Sequence, residues 1–319
     1  MIAVTFHGAG GPEVMAVDER PDPVPQSSEV LVRATHAALN PADVAQRAGN
    51  YPAPPGSPAD IPGLEVAGTV IACGEAVTAW RAGDRVFGLV GGGGLSDTVA
   101  VHERHVARIP DDLTDREAAA VPEAFITAHD AVFTRAGLAL GETLLVNGAS
   151  GGVGTAAVQL AKLLGLRVIG TASSAEKRAR VLELGADEAL SYEEFDQKLS
   201  GKNAPPLILE AVGGDVFRRS LEILPSLGRL VVFGAASKEV QPVDTLKLLF
   251  GSQGVFGLHL RAIFERPSLV GQSVKQMFEW IGQGKLKMQV GHVLPLAQIR
   301  EAHELISSRK SYGKIVLAD

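Results

Sequence analysis

A glycine-rich turn carries the strongest chemical signal in the sequence. The apolar run Thr143–Val146 before it predicts a strand, and the segment Val153–Leu164 after it predicts a helix. Glycine lets a backbone approach a pyrophosphate closely, and the free N–H groups of a helix N-terminus attract an anion. The pattern therefore predicts a dinucleotide site. The residues assigned to it are Gly148, Ser150, Gly151, Gly152, Val153 and Gly154.

The end of the next strand indicates which dinucleotide binds. NAD sites usually place Asp or Glu about 20 residues after the glycine turn, on the ribose 2′-hydroxyl. Here the strand Arg167–Gly170 is followed by Thr171-Ala172-Ser173-Ser174, which contains no acid. Ser173 offers a hydroxyl group and Lys177 a cation, and both suit a 2′-phosphate. The sequence favours NADPH over NADH, and whether NADH is also accepted stays open.

The elements that must hold this site fall into three regions. The first third has short β-prone runs divided by turn residues, which predicts a barrel-like β region. Near residue 115 the pattern changes, because Thr114 and Glu117 form a capping box that predicts a helix start. Short apolar strands then alternate with helices, which is typical of βαβ units on a parallel sheet. The tail predicts two amphipathic helices, Ser268–Ile281 and Leu296–Ile306, and a last strand, Lys314–Leu317.

Composition limits the functional classes. The chain has 319 residues, 46% of them hydrophobic, which indicates about two domains. A net charge of −6 disfavours a nucleic-acid or anionic-membrane partner. A single cysteine, Cys73, excludes an intramolecular disulfide and a cysteine zinc cluster. No signal-peptide pattern and no apolar run of membrane-spanning length occur, so we expect a cytoplasmic enzyme acting on a small molecule.

Four further motifs lie outside the glycine turn. Together with it they resemble the medium-chain dehydrogenase/reductase superfamily, in its zinc-independent quinone oxidoreductase (zeta-crystallin-like) branch, over nearly the whole chain. The motifs are N-x-x-D-x-x-x-R-x-G-x-Y from Asn40 to Tyr51, P-G-x-E-x-x-G from Pro62 to Gly68, G-D-R-V from Gly83 to Val86, and the strand Val231 to Gly234.

The resemblance implies an α/β architecture of two domains. A GroES-like β-rich catalytic domain would comprise residues 1–120 and 263–319. A Rossmann domain with a doubly wound parallel sheet, residues 121–262, would be inserted into it, with the cofactor cleft between the two. The resemblance also implies a homodimer through the strand Gly254–Leu258, whose apolar edge would otherwise be exposed.

Departures from the zinc-dependent relatives point to a zinc-free enzyme. Those relatives carry a cysteine before the Asp43 region and a His-Glu pair in the P-G-x-E turn, whereas this chain has Asn40 and Leu64-Glu65 there. The pair His102 and His105 is interpreted as surface residues. Without zinc to polarise a carbonyl, the substrate must already be activated. Quinones and α,β-unsaturated carbonyls meet that condition, and simple alcohols do not.

The resemblance implies that Asn40 and Tyr51 are the catalytic residues. Asn40 would donate a hydrogen bond to a carbonyl and contact the cofactor, and Tyr51 would donate a proton or stack on a ring. The alternatives are a turn at Asn40-Pro41 and packing of Tyr51 among prolines. Asp43 and Arg47, four residues apart on a predicted helix, are expected to pair with each other.

Glu65 and Asp84 are expected to fix turns. A 2′-phosphate pocket is predicted from Ser173, Lys177, Tyr192 and Arg309. Further cofactor contacts are assigned to Thr127, Val212, Phe233, Gly234 and Phe256. Two other functions stay open: reduction of enoyl thioesters, and a non-catalytic NADPH-binding redox sensor.

Overall fold

The computed structural model describes residues 1–135, 137, 141–260 and 267–318, with side chains throughout except at 267–274. The chain forms two compact units. The first comprises Met1–Glu123 and Met288–Asp319, and the second comprises Ala124–Lys287.

The first segment of the first unit is β-rich, as predicted, and its strands pair antiparallel. Its longest strands run next to one another, with β3 paired to β4 on one side and to β6 on the other. The elements are β1 (Ile2–Phe6), β2 (Met15–Glu19), β3 (Glu29–Leu39), α1 (Pro41–Arg47), β4 (Glu65–Cys73), β5 (Arg85–Leu89), β6 (Thr98–His102), β7 (Val106–Arg108) and α2 (Asp115–Ala119). The predicted capping box at the start of α2 is present, with the Thr114 hydroxyl accepting from the Glu117 N–H.

The second unit is a parallel sheet with helices on the connections. Its elements are α3 (Pro122–His129), β8 (Thr143–Val146), α4 (Gly152–Leu163), β9 (Arg167–Thr171), α5 (Ala175–Glu183), β10 (Glu188–Leu190), α6 (Phe195–Lys198), β11 (Leu207–Glu210), α7 (Gly214–Ile223), β12 (Arg229–Val232), α8 (Thr245–Gly251), β13 (Gly254–Gly257) and α9 (Pro267–Gly282). α3 begins at the end of the first unit. A π-helical segment, Asp130–Arg135, extends it.

The sheet order β10-β9-β8-β11-β12-β13 is the doubly wound dinucleotide-binding order. Every residue of β11 and all but the first residues of β8 and β9 are buried, as expected of strands covered on both faces. The core of this unit is formed by Leu145, Ile169, Ile208, Leu230 and their neighbours. The predicted βαβ organisation is confirmed.

The chain then returns to the first unit through β14 (Val290–Pro295), α10 (Ile299–Ser307) and β15 (Lys314–Ala318). β15 pairs antiparallel with β3, which completes the order β14-β15-β3-β4-β5-β7. The structure divides the chain after Glu123 and again after Lys287, whereas the sequence placed these boundaries after residues 120 and 262. The second boundary therefore differs from the expected one, and Lys287 belongs to the second unit. The Gln159 side chain on α4 exchanges two hydrogen bonds with the Lys287 backbone and fixes this segment.

Candidate functional site

The glycine turn has the geometry of an anion site. Gly148 has φ +74°, a conformation that favours glycine, and a Cβ on Gly154 would lie 2.3 Å from the Gly148 carbonyl oxygen. Gly151 is the N-cap of α4, and no side chain caps that end. A Cβ on Gly151 would meet only the Gly148 oxygen, at 3.5 Å. The first-turn N–H groups of α4 therefore face an open position, and these residues fit a dinucleotide pyrophosphate.

A buried polar network around Asn147 adjoins the glycine turn. The sequence analysis did not predict this network. The Asn147 amide donates to Glu210 Oε2 at 2.6 Å and to the Ser220 hydroxyl at 2.8 Å, and its oxygen accepts from Thr171 at 2.8 Å. Glu210 Oε1 accepts the backbone N–H groups of Val212 and Gly213. Burial raises the pKa of the Glu210 carboxyl. The network ties the ends of β8, β9 and β11 together, so the carboxyl edge of the sheet is held as one surface.

Most of the predicted cofactor residues of the second unit lie at that carboxyl edge. Val212 follows β11, and Phe233 and Gly234 follow β12. Ligands of open parallel sheets bind outside the carboxyl ends of the strands. Phe256 is different, because it lies within β13 and is 39% exposed. Thr127 lies on α3 and is buried.

The predicted 2′-phosphate residues divide between the two units. Ser173 is exposed directly after β9. The neighbouring Ser174 caps α5 by accepting the Lys177 N–H at 3.2 Å. Tyr192 follows β10, which pairs with β9, so three of the four residues lie at adjacent strand ends. Lys177 is half-buried, and burial lowers the pKa of its ammonium group. Arg309 is exposed in the first unit with φ +57°, and its part in the pocket stays a prediction.

A second polar cluster lies in the first unit, where α1, β4 and β15 meet. The Lys314 ammonium donates to Glu65 Oε1 and to Asn40 Oδ1, and all three side chains are buried. The Asn40 amide donates to Glu65 Oε1 at 2.8 Å and to the Ala38 carbonyl at 3.3 Å. Both amide hydrogens are therefore used within the protein. The expected donation by Asn40 to a substrate carbonyl does not fit this arrangement, and Asn40 instead holds Glu65 and Lys314 in place.

Asp43 also differs from the expectation. Its carboxylate accepts the backbone N–H groups of Asn40 at 2.7 Å and Gly63 at 3.0 Å. The expected pair with Arg47 is wrong, because these backbone groups occupy the carboxylate and Arg47 donates to the Gly10 carbonyl and contacts His303. Burial raises the pKa of Asp43 to about 7.

Asp84 fixes its turn as expected, since it accepts the Arg81 N–H at 3.1 Å and pairs with Arg108. Glu65 has a different task. It lies on β4, and its Oε2 accepts the backbone N–H of Glu123 at 2.8 Å. Glu65 thereby fixes the start of α3 rather than a turn. Tyr51 lies half-buried in the loop after α1.

Two absences hold for the described part of the chain. No three His, Cys, Asp or Glu side chains within it are grouped to bind a metal ion. No helix within it is long and apolar enough to cross a membrane.

Two family models match the chain. The alcohol dehydrogenase GroES-like domain matches residues 26–111, and the zinc-binding dehydrogenase model matches residues 152–281. Quinone oxidoreductase of Sus scrofa is 32% identical over 334 residues, which cover 99% of this chain and 97% of that protein. The second matched region begins at Gly152, at the end of the glycine turn, and contains Ser173 and Lys177 after β9.

Solved structures of related proteins match the fold of this chain over its full length. Escherichia coli quinone oxidoreductase complexed with NADPH has a TM-score of 0.93 and 29% identity, covering 100% of both chains. The quinone oxidoreductase of Thermus thermophilus, solved alone and with NADPH, has a TM-score of 0.87 and 34% identity, again covering 100% of both chains. The first unit therefore has a GroES-like fold and the second a Rossmann fold.

Proposed function

Because the chain belongs to the medium-chain dehydrogenase/reductase superfamily, in its zinc-independent quinone oxidoreductase branch, we propose that it transfers a hydride from NADPH to quinones or other activated α,β-unsaturated carbonyls. One observation carries the proposal: an open anion position at the start of α4 lies beside the acid-free end of β9. The bound nicotinamide supplies the hydride, and the protein supplies position and polarity.

The preference for NADPH rests on the residues after β9. The Ser174 hydroxyl is used as a helix cap, whereas Ser173 is exposed and the Lys177 ammonium follows it. A hydroxyl group and a cation at this place suit a 2′-phosphate, and residues 172–175, which directly follow β9, include no carboxylate to bind a 2′-hydroxyl. Structures of two relatives contain NADPH, which supports the same choice here.

The polar cluster of the first unit, formed by Asn40, Glu65 and Lys314, supports a reaction that does not use zinc. Glu65 is the buried carboxylate of that cluster, and its Oε1 accepts from the Lys314 ammonium. A divalent cation placed there would meet a fixed like charge in a poorly screened site. Because no metal polarises the carbonyl in this proposal, the substrate must itself be activated, as quinones and α,β-unsaturated carbonyls are.

An assay of NADPH oxidation at 340 nm tests the function. We expect turnover with a small quinone or enone, undiminished after dialysis against a chelator. Turnover with a crotonyl thioester alone would make the protein an enoyl-thioester reductase. Tight NADPH binding without turnover of any acceptor would make it a binding protein, and loss of activity on chelation with stoichiometric zinc would contradict the zinc-free proposal.

A further inference from the structure

The topological switch point of the parallel sheet lies between β8 and β11. The chain passes from β8 outward through β9 to β10, and then continues on the other side of β8 with β11 and β12. In open parallel sheets a ligand binds in the crevice outside the carboxyl ends of the two strands at such a point. Asn147 directly follows β8, and Glu210 is the last residue of β11. The hydrogen bond between these two side chains therefore spans the switch point.

The Glu210 carboxylate fixes the loop that joins β11 to α7. Its Oε1 accepts the backbone N–H groups of Val212 at 2.6 Å and Gly213 at 2.8 Å. Gly213 and Gly214 have φ +77° and +56°, conformations that favour glycine. The Val212 carbonyl accepts the Ser237 N–H at 2.7 Å, so the segment after β12 is attached to the same loop. One carboxylate thus supports the chain segments that follow two neighbouring strands.

This loop also borders the glycine turn. A Cβ built on Gly148 would lie 3.7 Å from Val212 Cγ2, so the Val212 side chain lies beside the first glycine of the turn. Val212 is one of the residues that the sequence assigned to the cofactor. The Asn147 N–H donates to the Leu209 carbonyl at 2.9 Å, which fixes the residue before Gly148 to β11. The loop and the turn are therefore held together by Asn147 and Glu210, through both their backbones and their side chains.

Hydrogen-bond donors surround the Glu210 carboxylate. Its side chain is fully buried, and the Asn147 amide and two backbone N–H groups replace the water that a carboxylate would have at the surface. We infer that Glu210 is a positioning residue of the cofactor site, an inference that rests on the proposed function. It holds Val212 and the glycine turn in the conformation that binds the dinucleotide. A site that is already ordered binds more tightly, because no loop has to be ordered on binding.

Glu210→Met keeps the approximate size of the side chain and removes both acceptor oxygens. NADPH and NADH should each bind at least about tenfold more weakly, because the loop would have to be ordered on binding. The factor should be the same for both, since Glu210 does not read the 2′-phosphate. Fluorescence titration measures the two affinities, and urea unfolding measures the stability of the same samples.

Leu224→Ala is the matched control for stability. Leu224 is buried just beyond the last residue of α7, whereas α7 begins at the carboxyl edge of the sheet. A cavity there should lower the stability and leave both cofactor affinities unchanged.

Exchange of the two side-chain types separates the contact between residues 147 and 210 from a general structural effect. Asn147→Asp alone puts a second carboxylate against Glu210, where the amide donates at 2.6 Å in wild type. It should weaken the binding of both cofactors at least about tenfold, because like charges repel in a buried site. In the double variant Asn147→Asp/Glu210→Gln the new amide donates to the new carboxylate, and its oxygen still accepts the two backbone N–H groups. The double variant should bind NADPH within about threefold of wild type.

Three outcomes would overturn the inference. They are wild-type NADPH affinity in folded Glu210→Met, an equal loss of affinity in Leu224→Ala, and a double variant that binds no better than Asn147→Asp. If Glu210→Met does not fold, the comparison of Asn147→Asp with the double variant decides. A wild type that binds NADPH but reduces no acceptor is a different outcome, which refutes the proposed function.

Discussion

Substitution of Lys177 tests whether one side chain distinguishes NADPH from NADH. A charge-assisted hydrogen bond to a phosphate contributes about 1.5–3 kcal/mol, which corresponds to roughly one to two decades of affinity. Lys177→Ala should therefore weaken NADPH binding about 10- to 100-fold and leave NADH binding nearly unchanged. Fluorescence titration with both cofactors measures this. Arg180→Ala, on the same helix but exposed and paired with Glu176, is the control. An equal loss for NADPH and NADH would mean that Lys177 does not contact the phosphate.

The residues around Glu65 show what the sequence could not predict. Asn40 was found through its motif, but its partners Glu65 and Lys314 are 25 and 274 positions away along the chain. The contact of Lys314 with Asn40 and its ion pair with Glu65 follow from the pairing of β15 with β3, which brings Ile315 opposite Leu39. The role of Asn40 depends on that pairing, so a motif read alone assigned the amide to a substrate rather than to the protein.

Two glycines of the strand–turn–helix element from β8 to α4 are expected to differ in their effect when they are substituted. Substitution of Gly154 should lower stability, whereas substitution of Gly151 should weaken cofactor binding. In Gly154→Ala the new methyl would lie 2.3 Å from the Gly148 oxygen and 2.7 Å from Ala149 Cα, and overpacking of this kind costs about 1–3 kcal/mol. Gly151→Ala has room for its methyl and a φ of −81° that alanine adopts. That variant should unfold in urea within about 0.5 kcal/mol of wild type, yet bind NADPH at least tenfold more weakly. Wild-type affinity in Gly151→Ala would place the pyrophosphate elsewhere.

Elements with a strong local pattern were predicted well. β8 has the predicted bounds, β9 differs from its prediction by one residue at one end, and α4 differs by one residue at each end. The short strands β2 and β7 were not predicted. β7 has three residues and pairs with β5, so its conformation comes from the neighbouring strand rather than from its own composition. α8 was missed for a related reason, because its apolar side chains face solvent and give no core-facing periodicity.

At the scale of the whole molecule, β13 leaves an edge that a second copy would cover. The N–H groups of Gly254 and Leu258 donate to β12, so those of Val255 and Gly257 point away from the sheet. Beside this edge, α8 exposes Leu249 and Phe250 to 68% and 84%. We expect a homodimer at twice the monomer mass of 33.3 kDa.

Val255→Pro should break this dimer, because proline removes an outward N–H while the bonds to β12 remain. Val240→Pro, at a fully exposed position outside any strand, should leave it intact. Light scattering on wild type and both variants measures the mass directly. A monomeric wild type at working concentration would refute the dimer, and a dimeric Val255→Pro would place the interface away from β13. Because each sheet would continue through its partner, a monomeric Val255→Pro should also unfold at a lower temperature than wild type.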